Sequence, residues 1–405
     1  MKFYLENYGC KLNEADSEII KGLLSENYEE VFDFNLADFI VLNTCGVIDK
    51  TEKKIIEKTL FFQKQGKKVF WTGCLPLITK NNISNGSIGP NNFSDINKMI
   101  KEEKHFFNNT KEDKSLLCKY KKRKEGVSST VAISEGCLGN CSYCGSKFAR
   151  KSLYSFSKEN ILKEIEMVLK EGKKEILLTS QGLATYGLDR GKQELPELID
   201  EILKIKKDFR LRLGMMSPKF AKNIINDLNY KDKKLYNFLH LPLQSGDNTL
   251  LSEMNRGYTV EDFIDICLKM RSLSEDFVLA TDIIVGHPKE DEKAFKNTIK
   301  VIKKVKPDIL HVFRYSKREG TEDSKLKELD SKIKKERSAF LVDLYHKQNL
   351  EKNKEFLNKE FEILVVEKTL GRTNSGRAVA IKNGKVGKFK KVKISDYTWN
   401  YLIGE

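Results

Sequence analysis

Three cysteines in one short loop constrain this chain more than any other feature of its sequence. They lie in the segment Cys137-Leu-Gly-Asn-Cys141-Ser-Tyr-Cys144, directly after an apolar run typical of a strand. Three thiolates on one tight loop can bind three irons of a 4Fe–4S cluster and leave the fourth iron open. A structural zinc site normally closes with four ligands, and no nearby His or Cys supplies a fourth. We therefore expect Cys137, Cys141 and Cys144 to hold an iron–sulfur cluster.

The region around this loop, residues 128–345, alternates strand and helix patterns. Residues such as Ile161, Ile165 and Val168 recur at helical spacing between the strand runs. The six strand runs are Thr130–Ser134, Glu175–Ser180, Phe209–Gly214, Phe238–Leu243, Val278–Val285 and Ile309–Tyr315. Six strand–helix repeats predict a six-stranded partial version of the parallel (β/α) barrel, with its active site at the carboxyl ends of the strands.

Residues 1–105 also alternate strands and helices, and a cysteine follows each of the three clearest strand runs. The runs are Lys2–Tyr8, Ala37–Asn43 and Lys67–Thr72, and the cysteines are Cys10, Cys45 and Cys74. The pattern predicts an open parallel α/β sheet, which places ligands at the carboxyl ends of its strands. Gaps of 35 and 29 residues are too long for a local clip. Only the fold can therefore bring these thiols together, and a buried core role is the other interpretation of each.

Two further parts complete an α/β chain that begins with an open sheet and continues with a partial barrel. Residues 106–127 are polar and rich in Lys and Arg, so they are predicted to form a solvated linker. The second part, residues 346–405, begins within the end of a polar helix that is expected from Ser331 to Phe356. Strand runs in this part predict a small antiparallel β-barrel: Phe361–Leu370, Gly376–Ile381 and Gly387–Ile394.

Positive charge dominates the 405-residue chain, with 73 Lys and Arg against 58 acidic residues and a net charge of +15. Such an excess attracts polyanions, although solvated lysine-rich helix faces produce the same composition. Residues 355–405 hold ten basic residues against six acidic ones, and Phe389, Tyr397, Trp399 and Tyr401 lie among or after them. Positive charge beside aromatic rings suits phosphate contact and base stacking. We expect an RNA partner.

The sequence also predicts the compartment. No run approaches the ~18 apolar residues that span a bilayer, and the N-terminus turns polar too early for a secretory signal. We expect a cytoplasmic protein without membrane contact, whose cysteines serve metal binding or redox chemistry rather than disulfides. Cys267 lies on an apolar helix face and is predicted to be a core thiol. Cys118, in the linker, has no predicted role.

The cysteine triplet resembles that of the radical S-adenosylmethionine (SAM) superfamily. The resemblance implies that the open iron binds SAM and that the reduced cluster cleaves it to methionine and a 5′-deoxyadenosyl radical. Three N-terminal motifs resemble those of the methylthiotransferase family: Asn7-Tyr8-Gly9-Cys10, Leu42-Asn43-Thr44-Cys45-Gly46 and Thr72-Gly73-Cys74-Leu75. In that family these cysteines hold a second 4Fe–4S cluster, whose open iron takes external sulfur. The implied cofactors are two 4Fe–4S clusters and SAM.

Other segments extend the resemblance along the whole chain. The cysteine loop from Ser134 to Arg150 resembles the branch that modifies N6-threonylcarbamoyladenosine in tRNA. Segments around Gln244, Arg256 and Asp282 match family motifs, and the terminal barrel resembles the RNA-binding TRAM module. The resemblance implies transfer of a methylthio group to C2 of that adenosine, next to the anticodon, with two SAM per turnover. We expect a monomer that uses an external electron donor and an external sulfur donor.

Four residues are predicted to contact SAM: Tyr143, Gln244, Ser245 and Asp282. Gln244 and Ser245 end a predicted barrel strand, where they can hydrogen-bond polar parts of SAM and where Gly246 permits close approach. A strand-capping turn is the other interpretation of this segment. Asp282 lies within a strand, and a buried carboxylate needs a partner, which SAM or a barrel arginine would provide.

Three positions depart from the family pattern. Gly182 replaces an aspartate after the second barrel strand, Lys151 replaces a glycine after Arg150, and His287 replaces a phenylalanine before Pro288. The change at Gly182 removes a polar group from the expected surroundings of SAM and the substrate base. His287 is interpreted as a loop residue rather than a ligand.

Other functions remain open from the sequence. Within the family, the substrate could be isopentenyl-adenosine in tRNA or an aspartate of a ribosomal protein, and the basic terminal barrel favours RNA. A non-catalytic iron–sulfur protein that binds RNA is the alternative from another class, and the complete cysteine triplet argues against it. No motif reports physically on the N6 substituent, and the two donors are not identified by any motif.

Overall fold

The N-terminal part of the chain is a six-stranded parallel sheet in the order β2-β1-β3-β4-β5-β6. The computed structural model describes residues 1–47, 49–108 and 112–405. The strands are β1 (Lys2–Asn7), β2 (Glu29–Glu30), β3 (Phe39–Thr44), β4 (Lys68–Gly73), β5 (Gly86–Ile88) and β6 (His105–Phe106). The helices are α1 (Lys11–Ser25), α2 (Asp49–Lys64) and α3 (Ile96–Glu102).

The central strands of this sheet are buried on both faces. Phe39 and Val41 of β3 pack into one apolar cluster, and Ile40 and Leu42 pack into another on the opposite face. Alternate side chains of a strand point to opposite faces, so helices on both sides cover a continuous apolar run. The open parallel α/β sheet predicted from the sequence is confirmed.

The central part is a partial barrel of six parallel strands. They are β7 (Ser128–Ala132), β10 (Glu175–Thr179), β11 (Arg210–Leu213), β12 (Phe238–His240), β13 (Val278–Val285) and β14 (Ile309–Arg314). Strands β7, β10 and β11 form one sheet and β12, β13 and β14 form another, and a parallel bridge between Met215 and His240 joins the two. Each of the six predicted strand runs overlaps a strand of this barrel, which confirms the predicted architecture.

Helices cover the outside of the barrel, and one short hairpin interrupts it. The helices are α4 (Ser146–Arg150), α5 (Lys158–Lys170), α6 (Leu195–Leu203), α7 (Pro218–Ile224), α8 (Asn248–Glu253), α9 (Val260–Arg271) and α10 (Glu292–Val305). The hairpin pairs β8 (Ser134–Glu135) with β9 (Tyr154–Ser155). It closes the base of the cysteine loop, and the sequence did not predict it because two-residue strands carry no periodicity. Cys267 is buried within α9, as predicted.

The chain ends in a long helix and a closed five-stranded barrel. The helix is α11 (Ser331–Lys354), and the strands are β15 (Glu360–Glu367), β16 (Leu370–Arg372), β17 (Ala378–Ile381), β18 (Phe389–Tyr397) and β19 (Leu402–Gly404). Asp308, before β14, pairs with Arg377 of the small barrel at 2.7 Å and with Lys352 of α11 at 2.5 Å. The small barrel is thus docked on the large one. Among the described residues, no helix combines the length and apolar character needed to cross a bilayer.

The connecting segment is partly packed, which corrects the prediction of solvation for Lys121 and Arg123, whereas Lys119, Lys122 and Lys124 are exposed as expected. A 3-10 helix spans Lys114–Tyr120, and the side chains of Lys114, Lys121 and Arg123 are almost fully buried. Lys121 pairs with Glu164 of α5 at 2.5 Å. Buried carboxylates need such partners, and the sequence does not show which acids the fold brings to this segment. Residues 109–111 of the predicted linker lie outside the described residues.

Candidate active site: two cysteine triads

Cys137, Cys141 and Cys144 lie on the loop between β8 and α4, at the carboxyl end of the first barrel strand. All three are partly buried. The backbone N–H of Gly139 donates to the Cys137 Sγ at 3.1 Å, and the N–H of Cys144 donates to the Cys141 carbonyl at 3.2 Å. Burial raises the pKa of the Cys137 thiol, the Gly139 N–H opposes this, and the neighbouring Cys141 and Cys144 raise it further. The loop therefore gathers three sulfurs around one short turn.

Glycine at position 139 leaves room between these sulfurs. A Cβ on Gly139 would lie 3.2 Å from the Cys137 Sγ and 3.7 Å from the Cys141 Sγ. Gly136 is required by the backbone instead. Its φ of 81° favours glycine, and a Cβ there would lie 2.0 Å from the Ser152 carbonyl oxygen. The space at Gly139 and the three sulfur donors fit a group bound by all three cysteines.

A partly buried arginine from a distant segment contacts this loop. Arg256 donates from Nη1 to the Cys141 Sγ at 3.0 Å and to the Tyr143 hydroxyl at 3.3 Å. Its Nε donates to the Tyr258 hydroxyl at 3.0 Å. A guanidinium is charged at any physiological pH, so Arg256 places a permanent positive charge beside the Cys141 sulfur. The sequence placed Arg256 in a family motif without a role.

Cys10, Cys45 and Cys74 follow three neighbouring strands, β1, β3 and β4. Cys10 precedes the first turn of α1 and is exposed, whereas Cys45 and Cys74 are buried. Burial raises the pKa of the Cys74 thiol to about 11, Arg150 opposes this, and Cys45 and Cys10 both raise it. The register of the sheet places Asn7 beside Asn43 and Thr44 beside Gly73, at the carboxyl ends of the strands and just before the three cysteines. The parallel sheet thus brings together thiols that are far apart in the chain.

The spacing of the sulfurs in each triad is too wide for a single metal ion. Zn–S bonds of about 2.3 Å place sulfurs within about 4 Å of each other. Within the part of the chain that the structure describes, only one set of three His, Cys, Asp or Glu ligand atoms lies within 4.8 Å of one another, and it contains no cysteine. Both triads therefore fit a larger group better than they fit a zinc ion. A 4Fe–4S cluster is such a group.

That set of three ligand atoms belongs to Asp282, His240 and His311. The Asp282 Oδ1 lies 2.9 Å from His240 Nε2 and 2.9 Å from His311 Nδ1. Burial by itself raises the pKa of Asp282, but the two histidines outweigh it and lower the pKa to about 2. Histidines on the adjoining strands β12 and β14, rather than the predicted barrel arginine, are therefore the partners of Asp282 among the described residues.

The segment after β12 forms a turn that contains the partly buried Gln244 and the buried Ser245. Gln244 has a φ of 74°, and its backbone N–H donates to the Asp282 carbonyl at 2.8 Å. Ser245 is buried, and its Oγ accepts from the Asp247 N–H at 3.2 Å. A Cβ on Gly246 would lie 2.5 Å from the Thr298 Cα. Gly246 thus permits close packing on α10, which corrects the expectation that it serves the approach of SAM.

Gly182 and His287, two of the three departures from the family pattern, differ from each other in their surroundings. A Cβ on Gly182 would meet only the Thr185 Oγ1, at 4.0 Å, and the Oε1 of the preceding Gln181 is buried with no hydrogen-bond partner among the described residues. His287 is fully buried and pairs with Asp323 at 2.8 Å, and Asp323 also accepts from Ser142 of the cysteine loop. His287 therefore supports the cysteine loop through Asp323.

Residues next to the two triads meet at one interface between the sheet and the barrel. Arg150, at the end of α4, donates from Nε to the Cys74 Sγ at 3.3 Å. Arg318, after β14, donates from Nε to the Val47 carbonyl at 2.9 Å and pairs with Glu52 of α2 at 3.0 Å. The helix that follows Cys144 thus reaches a sulfur of the other triad.

Sequence comparisons assign three regions of the chain to known families. The model of the radical SAM superfamily matches residues 131–302, that of uncharacterized protein family UPF0004 matches 2–89, and that of the TRAM domain matches 358–405. The chain is 42% identical to a probable threonylcarbamoyladenosine tRNA methylthiotransferase of Archaeoglobus fulgidus, over 100% of this chain and 98% of the relative. It is 32% identical to a tRNA-2-methylthio-N(6)-dimethylallyladenosine synthase of Natranaerobius thermophilus, over 100% and 96%.

The fold has a counterpart among solved structures. A radical S-adenosylmethionine methyltransferase, TsrM, from Kitasatospora setae aligns with a TM-score of 0.55 over 80% of this chain and 77% of that one, at 12% identity. The partial barrel and its cysteine loop define a radical SAM enzyme, a class that uses a 4Fe–4S cluster and SAM. Within this class, the chain belongs to the threonylcarbamoyladenosine tRNA methylthiotransferase family.

Proposed function

We propose that this enzyme transfers a methylthio group to C2 of N6-threonylcarbamoyladenosine in tRNA, next to the anticodon. The observation that carries the proposal is the presence of two cysteine triads at one interface, each with a sulfur that accepts a hydrogen bond from an arginine. Relatives named for this substrate are 42% and 40% identical over the whole chain.

In this proposal each triad holds one 4Fe–4S cluster. Cys137, Cys141 and Cys144 hold the cluster that binds SAM, and the second triad, Cys10, Cys45 and Cys74, holds the cluster that takes the sulfur. When bound, the second cluster would supply a sulfur that one SAM methylates. The first cluster and a second SAM would supply the radical that removes the C2 hydrogen.

The chain's own residues orient these groups. Arg256 and Arg150 each place a positive charge beside one sulfur of a triad, Cys141 and Cys74 respectively. Tyr143, Gln244, Ser245 and Asp282 are proposed to hold SAM at the barrel mouth. Asp282 contributes its second carboxylate oxygen, since both histidines bond to Oδ1. The terminal barrel contacts the tRNA backbone, which adds affinity rather than base identity.

The enzyme is further proposed to act as a cytoplasmic monomer. An external electron donor reduces the clusters, and an external sulfur donor replaces the sulfur used in each turnover.

Mass spectrometry of tRNA nucleosides tests the substrate. Cells that lack the protein should lose the 2-methylthio derivative of N6-threonylcarbamoyladenosine and accumulate its precursor. The wild-type gene should restore the derivative, and a Cys45→Ala variant should not. If that nucleoside is unchanged and methylthiolated isopentenyl-adenosine is lost instead, the proposed substrate is wrong. The substrate would then be isopentenyl-adenosine, the kind of nucleoside for which the relative at 32% identity is named.

A further inference from the structure

Four buried charged side chains form a closed ring at the interface between the sheet and the barrel. Arg150 Nη2 lies 2.7 Å from Asp16 Oδ2, and Asp16 Oδ1 lies 2.9 Å from Lys114 Nζ. Lys114 Nζ lies 2.7 Å from Glu135 Oε2, and Glu135 Oε1 lies 2.5 Å from Arg150 Nη1. Two cations alternate with two anions, so the ring is neutral. None of the four residues is more than 4% exposed.

The members of the ring come from four segments that carry or adjoin the cysteines. Asp16 lies in α1, the helix that Cys10 precedes. Glu135 ends β8, two residues before Cys137, and Arg150 ends α4, the helix that begins two residues after Cys144. Lys114 begins the 3-10 helix of the connecting segment. The ring therefore joins the N-terminal sheet to both ends of the barrel's cysteine loop.

Hydrogen bonds extend from the ring to the second triad. Beyond its ion pairs, Arg150 uses Nε for the Cys74 Sγ at 3.3 Å and Nη2 for the Asn13 Oδ1 at 3.0 Å. The same Asn13 oxygen accepts from the Cys10 Sγ at 3.5 Å. Asn13 Nδ2 donates to the carbonyl of Thr44, the residue before Cys45, at 2.9 Å. Each cysteine of this triad is thus linked to the ring through Arg150 or Asn13.

Stability alone does not account for such a ring. Well-packed apolar residues of similar volume often stabilise a protein as much as a buried ion pair or more, because burying charges has a large desolvation cost. A neutral ring in which every carboxylate oxygen has a partner fixes geometry, since the rigid guanidinium presents its donors in set directions. The charges of Arg150 and Lys114 overcome the effect of burial and hold the pKa of Asp16 below its usual value.

We infer that the ring of Asp16, Lys114, Glu135 and Arg150 sets the position of the two cysteine triads relative to each other, and that Arg150 raises the reduction potential of the cluster held by Cys74. The inference rests on the proposed second cluster. A positive donor at a cluster sulfur stabilises the more negative reduced state. Arg150 and Lys114 are positioning residues in this arrangement, and the two have separable effects because only Arg150 contacts a sulfur.

Redox titrations of the anaerobically reconstituted full-length enzyme, followed by electron paramagnetic resonance, test both parts. Arg150→Lys keeps the charge but removes the Nε donor, so the potential of the second cluster should fall while that of the radical SAM cluster stays unchanged. Lys114→Met opens the ring without touching a sulfur, so the magnetic coupling between the two reduced clusters should change, and Lys114→Arg should restore it. Cys141→Ala protein identifies the signal of the second cluster.

Arg377→Met is the matched control, because Arg377 is a buried arginine that pairs with Asp308 at 2.7 Å and lies in the terminal barrel. It should leave the potentials and the coupling unchanged. Wild-type protein with about four irons rather than about eight would overturn the second cluster, and with it the role of Arg150. Full iron content with an unchanged second potential in Arg150→Lys, or unchanged coupling in Lys114→Met, would overturn the inference alone.

Discussion

Arg256 donates a hydrogen bond to the Cys141 sulfur across 3.0 Å, although 115 residues separate the two in the chain. Arg150 makes the equivalent bond to Cys74 at 3.3 Å. Each triad therefore includes one sulfur that lies beside a permanent positive charge. Burial raises the pKa values of Cys137, Cys45 and Cys74, so these donors oppose the tendency of a buried thiol to stay protonated.

Replacing one cysteine of each triad should separate the two halves of the reaction. Cys141→Ala should abolish SAM cleavage, because the first cluster loses a ligand, and should leave about half of the iron bound. Iron content and 5′-deoxyadenosine formation measure these effects. Cys45→Ala should also retain about half of the iron, but it should still cleave SAM and form no methylthiolated tRNA.

The two variants serve as controls for each other because each removes a single sulfur. Undiminished 5′-deoxyadenosine from Cys141→Ala would show that the radical is generated elsewhere. Normal methylthiolation by Cys45→Ala would eliminate the second cluster from the reaction.

Adding a methyl group at Gly139 should disturb the first cluster. In Gly139→Ala the new Cβ lies 3.2 Å from the Cys137 Sγ, so the sulfur must move by a few tenths of an ångström. We expect reduced iron at the first triad and slower SAM cleavage. Gly182→Ala is the control, because its Cβ meets only an oxygen at 4.0 Å and should leave the iron content unchanged. Equal iron in both variants would contradict the proposed space for the cluster.

The contribution of Asp282 to stability should depend on pH. Its pKa is lowered to about 2 in the folded chain, below about 3.9 when unfolded. The stabilisation is therefore fully present above the unfolded value and is lost as the pH falls through 2. The difference amounts to about 2 to 3 kcal/mol at pH 7.

Urea unfolding of the wild type and of Asp282→Asn measures this effect. The wild type should be more stable at pH 7, and the difference should shrink between pH 5 and pH 3, while folded protein is still present. A difference that does not vary with pH would show that Asp282 is not held ionised by His240 and His311.

The exposed lysines of the terminal barrel should contribute to tRNA affinity through charge. Lys390 and Lys393 on β18 are exposed and form no ion pair among the described residues. Replacing both with Ala should weaken tRNA binding and reduce the slope of log affinity against log salt by about 1.5. Affinity measured across a salt series tests this expectation. The control is Lys347→Ala, which removes an exposed lysine of α11. An equal loss of tRNA affinity in that variant would argue against a specific contact surface on the terminal barrel.

Much of the fold follows from local pattern. The buried run of β3 and the eight-residue run of β13 have an apolar content that predicted strands at those positions. The hairpin of Ser134–Glu135 with Tyr154–Ser155 was missed because strands of two residues have no measurable period. The burial of Lys121 and Arg123 in the connecting segment was missed because their partner, Glu164, lies in another segment.

The sequence by itself determined the first triad, since a spacing of a few residues forces Cys137, Cys141 and Cys144 onto one turn whatever the rest of the chain does. It also determined that Cys10, Cys45 and Cys74 follow strands. Only the tertiary structure decided which charged groups surround them. Asp16 meets Lys114 and Arg150 across 98 and 134 residues, and such contacts depend on how whole elements pack, which no local spacing of residue types encodes.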